Sequence, residues 1–94
     1  MRQLRGRAAI VTGASRGLGT YIGRALAAEG VNLALMARSA EELERVAAEM
    51  RALGVRAIAI AGDVTSADDR RRAIEATLAE YGRADILVNN AGIE

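Results

Sequence analysis

Residues Thr12-Gly13-Ala14-Ser15-Arg16-Gly17-Leu18-Gly19 join the apolar run Ala8-Ala9-Ile10-Val11 to a segment with helical periodicity. Glycine has no Cβ, so such a turn can be tight and a ligand can approach its backbone. The helix that follows offers unpaired N–H groups and a partial positive charge. The chemistry this suits is the holding of an anion such as a nucleotide phosphate. The spacing Gly-x-x-x-Gly-x-Gly differs from the commoner Gly-x-Gly-x-x-Gly fingerprint, and a purely structural turn is the other reading of the same residues.

About twenty residues beyond such a loop, a cofactor with a free 2′-hydroxyl usually meets an Asp or Glu. This chain has Arg38 there. A guanidinium fork can donate two parallel charge-assisted hydrogen bonds to a 2′-phosphate, and Arg16 could reach the same group from the glycine loop, a pair that favours NADP(H) over NAD(H). The alternative is that both are ordinary solvated residues of an Arg-rich chain. Two further strings fall where strands should end, Gly62-Asp63-Val64 and Asn89-Asn90-Ala91-Gly92. Asp63 could accept from the exocyclic amine of adenine with Val64 against the ring, or it could cap the turn into the next helix. Small Ala91 and Gly92 could let a sugar lie on the backbone, or the string could be a plain strand exit.

The elements that must position these residues read as β-α-β-α-β-α-β. Ala8–Val11, Val31–Ala37, Arg56–Ala61 and Asp85–Asn89 are the predicted strands. The first helix is predicted over 17–29, burying Leu18, Ile22 and Leu26, with Gly19 and Gly23 one turn apart for close packing on the sheet. Ser39 and Glu42 form a capping-box pattern for a second helix with Leu43, Val46, Met50 and Leu53 inward. A third is predicted over 66–81 with Ile74, Leu78 and Tyr81 inward. Gly30, Gly54 and Gly82 follow the three helices as stops. Near-continuous apolar strands alternating with helices predict a parallel sheet covered on both faces.

Composition removes several function classes. The chain of 94 residues is 51% hydrophobic and 2% aromatic, so its core must come from Ile, Leu, Val and Ala, and it is expected to form one domain. A net charge of +1 gives no reason to expect nucleic acid or membrane as partner. Without Cys or His there is no thiol chemistry and none of the usual zinc sets. No run reaches signal-peptide or transmembrane length, and the cytoplasm is the expected compartment. All thirteen basic residues are Arg, with no lysine. The triple Arg70-Arg71-Arg72 is expected to be a solvated face, with Asp68 pairing Arg72 and Glu75 pairing Arg71.

Thr-Gly-x-x-x-Gly-x-Gly, a strand-end Asp-Val and Asn-Asn-Ala-Gly, in this order and spacing, resemble the first half of the short-chain dehydrogenase/reductase family over essentially the whole chain. The glycine segment is similar to the NADP-dependent branch that includes 3-oxoacyl carrier-protein reductases. The resemblance implies a three-layer α/β half-domain of Rossmann type, residues 1–94, with strand order 3-2-1-4, and hydride transfer between nicotinamide and a carbonyl or alcohol. It implies that Gly13, Ser15, Arg16, Gly17, Leu18 and Gly19 surround the phosphates and that Arg38 reads the 2′-phosphate. Asp63 and Val64 would hold adenine; Asn89, Ala91 and Gly92 would line the adenosine and ribose; Thr12 would tie the glycine loop to the Asn-Asn-Ala-Gly turn.

Members of that family continue to a Ser, a Tyr and a Lys four positions after the Tyr. Here Tyr21 is followed at that distance by Ala25 and Tyr81 by Asp85, so both tyrosines are expected to pack rather than catalyse. The 94-residue chain by itself is therefore expected to bind cofactor without turnover. A stand-alone nucleotide-binding module and a structural mini-fold are the alternatives. The apolar edge Ile86-Leu87-Val88 is expected to drive a homo-oligomer.

Overall fold

Four apolar runs too short for stable helices form one parallel sheet, and the longer amphipathic segments between them form the helices that cross over it. The structure, a computed structural model, describes residues 3–90, so Ala91 and Gly92 lie outside the described residues. The elements are β1 (Ala8–Thr12), α1 (Gly17–Ala28), β2 (Asn32–Ala37), α2 (Ala40–Ala52), β3 (Ala57–Ala61), α3 (Ala67–Tyr81) and β4 (Ile86–Val88). The sheet order is β3-β2-β1-β4, all neighbours parallel, with Val11 opposite both Leu35 and Val88. This is the expected 3-2-1-4 Rossmann-type arrangement. It brings the carboxyl ends of all four strands to one edge, where an open α/β sheet binds ligands.

The pleat divides the core in two. Ala9, Val11, Leu33 and Leu35 face α1 and α2 and pack with Leu43, Val46 and Met50, whereas Ile10, Ala34, Met36 and Ile60 face α3 through Ala73. α2 and α3 begin as their sequences require: Ser39 Oγ accepts from the Glu42 N–H at 3.2 Å, and Ser66 Oγ accepts from the Asp69 N–H at 3.2 Å. Gly82, in the left-handed region, closes α3.

Several expected inward residues point elsewhere. α1 buries Gly19 and Gly23 as expected, with Thr20 and Ala27, and Leu26 is half-buried against the same core, but Ile22 is only half-buried and Leu18 is exposed. The contact is made by small residues because the helix lies close: a Cβ on Gly23 would stand 3.1 Å from Met50 Cε and 3.8 Å from Leu35 Cδ2. Leu53 is the C-cap of α2, past the turn that would aim it inward, and is exposed. α3 packs through Ala73 and Thr77, with Ile74 and Leu78 exposed. On this face the sheet is only partly covered by the described residues. A hollow of about 750 Å³, lined largely by Ile10, Met36, Ile74, Ile86 and Leu87, opens between α3 and β4.

β4 has three residues, and polar groups pin it to β1 at both ends. At its start Asp85 accepts from the Ala8 N–H at 2.9 Å, from Arg83 Nε at 2.6 Å and from Arg7 Nη1 at 3.4 Å. The Arg83 guanidinium, then the Ala8 amide, hold its carboxyl down at about 2. At its end the Thr12 hydroxyl contacts Val88 O and Asn89 Oδ1, both at 3.3 Å, and accepts from the Asn90 N–H at 2.9 Å. Asn90 Nδ2 donates to Gly13 O at 3.2 Å.

Two outcomes follow from these pins. Because the Asp85 pKa is depressed on folding, its contribution is fully present above the unfolded carboxyl range and is lost as pH falls from about 4 towards 2. Asp85→Asn should lower the urea midpoint at pH 7 and flatten its fall between pH 4 and 2; a midpoint that tracks the parent at every pH contradicts the assignment. Thr12→Val keeps the shape but strips the buried Asn90 N–H of this acceptor. It should cost about 1–3 kcal/mol in denaturant unfolding and speed hydrogen exchange at Asn90.

Candidate dinucleotide site

The glycine loop leaves β1 at the ligand edge of the sheet, and its three glycines are needed for two different reasons. Gly13 and Gly17 have φ of 62° and 61°, which side chains disfavour. Gly19 is required by space instead: a Cβ there would stand 2.0 Å from Gly13 O and 2.8 Å from Asn90 Nδ2. The loop is tied down from three sides, by Ala14 N–H to Met36 O at 3.2 Å, Thr20 Oγ1 to Ala14 O at 2.9 Å, and Asn90. Thr12 thus performs the expected tie between the loop and the Asn-Asn segment.

α1 differs from the other two helices at its start. Its N-cap, Arg16, makes no side-chain cap and its first turn holds no acidic residue, whereas α2 and α3 carry serine caps and the acidic pairs Glu41, Glu42 and Asp68, Asp69. The first N–H groups of α1 therefore keep their positive end available to an outside anion. Gly17 and Leu18 stand exposed at this opening, beside Arg16.

A cleft of about 430 Å³ runs from the loop across the strand ends and brings together Gly13, Ser15, Arg16, Arg38 and Val64. The Arg38 side chain is 79% exposed and its Nη2 stands 3.5 Å from Asp63 Oδ1. The same oxygen accepts from the Thr65 N–H at 2.9 Å and the Thr65 hydroxyl at 2.7 Å, so Asp63 does cap the turn into α3. Those Thr65 bonds, with a smaller part from Arg38, lower its pKa. Asn89 lies outside this cleft, on the side of the apolar hollow with Thr12.

The sequence reading missed what braces Asp63 and Val64. Asp69 Oδ2 accepts from the Asp63 N–H at 2.8 Å, Arg70 Nη1 donates to Val64 O at 2.7 Å, and Arg72 Nη2 donates to Ala61 O at 2.9 Å and to Asp69 Oδ1 at 3.2 Å. Of the arginine triple, only Arg71 pairs purely along the helix surface, with Asp68 at 3.0 Å. The expected Asp68–Arg72 and Glu75–Arg71 pairs are replaced by partners three residues apart, because Arg70 and Arg72 turn back to loop carbonyls. An acidic residue two or three positions before each arginine was the available signal.

The tyrosines part company. Tyr81 packs as expected: its hydroxyl donates to Leu33 O at 2.6 Å, its ring lies 5.0 Å from the Arg56 guanidinium carbon, and burial pushes its pKa up to about 12. Tyr21 is 66% exposed on α1 and does not pack. No helix of the described residues is long and apolar enough to cross a membrane.

Comparison with known proteins agrees with this geometry. The 3-oxoacyl-[acyl-carrier-protein] reductase FabG of Staphylococcus aureus is 46% identical over 88 residues, covering 93% of this chain and 36% of the relative. A peroxisomal 2,4-dienoyl-CoA reductase of Arabidopsis thaliana is 39% identical over 88 residues, 94% of this chain and 30% of the relative. The chain thus spans about a third of the length of these curated relatives. Among solved structures, the L-sorbose reductase of Gluconobacter frateurii complexed with NADPH and L-sorbose superposes with a TM-score of 0.90 at 37% identity, covering 94% of this chain and 34% of that one. A metagenomic short-chain oxidoreductase in complex with NADP gives 0.81 at 40% identity, covering 88% and 38%. The family model described as short chain dehydrogenase matches residues 7–94, and the chain belongs to that family.

Proposed function

We propose that this chain is the NADP(H)-binding half of a short-chain dehydrogenase/reductase and that the 94 residues alone bind cofactor without turning over substrate. The observation that carries the reading is the uncapped, acid-free start of α1, entered through a loop in which a Cβ at Gly19 cannot fit. That opening suits a pyrophosphate. Gly13, Ser15, Arg16, Gly17, Leu18 and Gly19 would surround it, with Arg38 and Arg16 reading a 2′-phosphate. Asp63 and Val64 would meet adenine, and Asn89, Ala91 and Gly92 the adenosine and ribose.

The bound dinucleotide would supply hydride exchange with a carbonyl or alcohol. The chain's own residues would hold it: α1 amides fix the phosphates, and the Thr12–Asn90 tie keeps the loop at the strand ends. Carbonyl reduction also needs a proton donor, and the described residues offer none suited to neutral pH. Tyr81 is pushed up to about 12 with its hydroxyl spent on Leu33 O, and Tyr21 faces solvent on α1. Absence of an acid/base group forfeits roughly 10²–10⁴-fold in rate. The 3-oxoacyl-[acyl-carrier-protein] reductase and L-sorbose reductase activities of the relatives support an oxidoreductase that acts on carbonyls in acyl thioesters or sugars as the whole to which this half corresponds.

The β4 edge supports a homo-oligomer. Leu87 is 68% exposed and the apolar hollow beside it is open, so a second copy pairing through β4 would cover both.

Calorimetry at one salt concentration should give NADPH about ten- to a hundredfold tighter binding than NADH, and Arg38→Asp should narrow or reverse that ratio. The same protein should leave NADPH unoxidised with ketones and 3-oxoacyl thioesters. Equal affinities for the two cofactors, or turnover that vanishes in Tyr21→Phe or Tyr81→Phe, would overturn these assignments. Sedimentation at about tens of micromolar, a range that exposes weak association, should return a dimer or larger; a monomer would remove the β4 interface.

A further inference from the structure

Among the described residues eight arginines form ion pairs, and Arg70 is held by Val64 O. The side chains of Arg16 and Arg45 make none of these contacts, yet they line one hollow of about 310 Å³ with Ser15, Glu42, Val46 and Glu49. Ser15, Arg16 and Glu42 also line the cleft that holds Arg38, so the two depressions are continuous. Of the two carboxylates, Glu49 is engaged by both nitrogens of the Arg24 fork, which lowers its pKa. Glu42 lines both depressions, and no ion pair among the described residues engages it.

Charge then decides what the cleft can hold. Arg16 and Arg38 are opposed there by Glu42 and by Asp63, which draws on Arg38 at 3.5 Å. Two guanidiniums against two carboxylates leave no net positive charge for a phosphate monoester, which carries about −1.5 to −2 at neutral pH. Arg45 restores it. It follows Glu42 by three residues on α2, about 5–6 Å away between Cβ atoms, and its long stem can carry the fork over Glu42 to the anion.

We propose that Arg45 is a specificity-determining residue for the 2′-phosphate of the cofactor, completing a set of three guanidiniums with Arg16 and Arg38, and that Glu42 opposes that phosphate. The proposal rests on the NADP(H) reading above, and the probes keep the two apart. Adenosine 2′,5′-bisphosphate and 5′-AMP share adenine, ribose and the 5′-phosphate and differ in the 2′-phosphate alone. The unmodified chain should bind the bisphosphate about tenfold or more tightly than 5′-AMP. Arg45→Gln should cost about five- to tenfold for the bisphosphate and under about twofold for 5′-AMP, with a shallower salt dependence; Glu42→Gln should tighten the bisphosphate severalfold. Arg45 and Glu42 stand at the surface of a capped helix, and thermal melts by circular dichroism check that each variant folds; Arg45→Lys, a point charge without the fork, should fall between parent and Gln. Discrimination that survives Arg45→Gln unchanged overturns the role of Arg45 while leaving the NADP(H) reading intact. No discrimination in the unmodified chain overturns both.

Discussion

The Thr12 hydroxyl is the contact on which the site depends. It sits at the last residue of β1, contacts Val88 O and Asn89 Oδ1, and takes the Asn90 N–H. A three-residue strand cannot set its own position by ladder bonds alone, so this junction determines where the chain goes after β4. It also determines the glycine loop, because Asn90, fixed by Thr12, reaches Gly13 O in the space that a side chain at Gly19 would fill. One hydroxyl thereby couples a strand end, the following turn and the entry to α1.

From that junction the rest of the site is assembled by proximity. Parallel order places the ends of β1, β2 and β3 side by side, so Arg38 and Asp63 come within 3.5 Å although 25 residues separate them. The α3 start supports the same edge from below, with Asp69, Arg70 and Arg72 holding 61–64 in shape. The arginine run is solvated as its sequence suggests, but Arg70 and Arg72 also frame the chain that leaves β3.

Fold class, strand order, helix stops and the Ser39 cap were legible because each has a local physical cause: apolar period, glycine at positive φ, a hydroxyl three residues before an acidic amide. On α1 the close approach of Gly19 and Gly23 was legible too, but the place of Leu18 was not, since hydrophobicity puts it inward whereas it stands exposed beside the loop. Ile74 and Leu78 failed for another reason. Their helical face is apolar, but α3 meets the sheet through Ala73 and Thr77 and leaves both exposed, Ile74 at the rim of the open hollow. Arg45 went unnoticed because its meaning comes from its neighbours: among the described residues it makes no ion pair, and it shares a hollow with Arg16. Neither fact exists in one dimension.

In the proposed function an anion of the cofactor docks on the uncapped start of α1. The most direct measurement is the amide chemical-shift response of the isotope-labelled chain to NADPH. Docking there should give the largest shifts at Gly13, Gly17, Leu18 and Gly19, with a second set at Arg38 and near Asp63, and little change at the serine-capped starts of α2 and α3. Shifts concentrated at the α3–β4 hollow, or equal at all three helix starts, would contradict it.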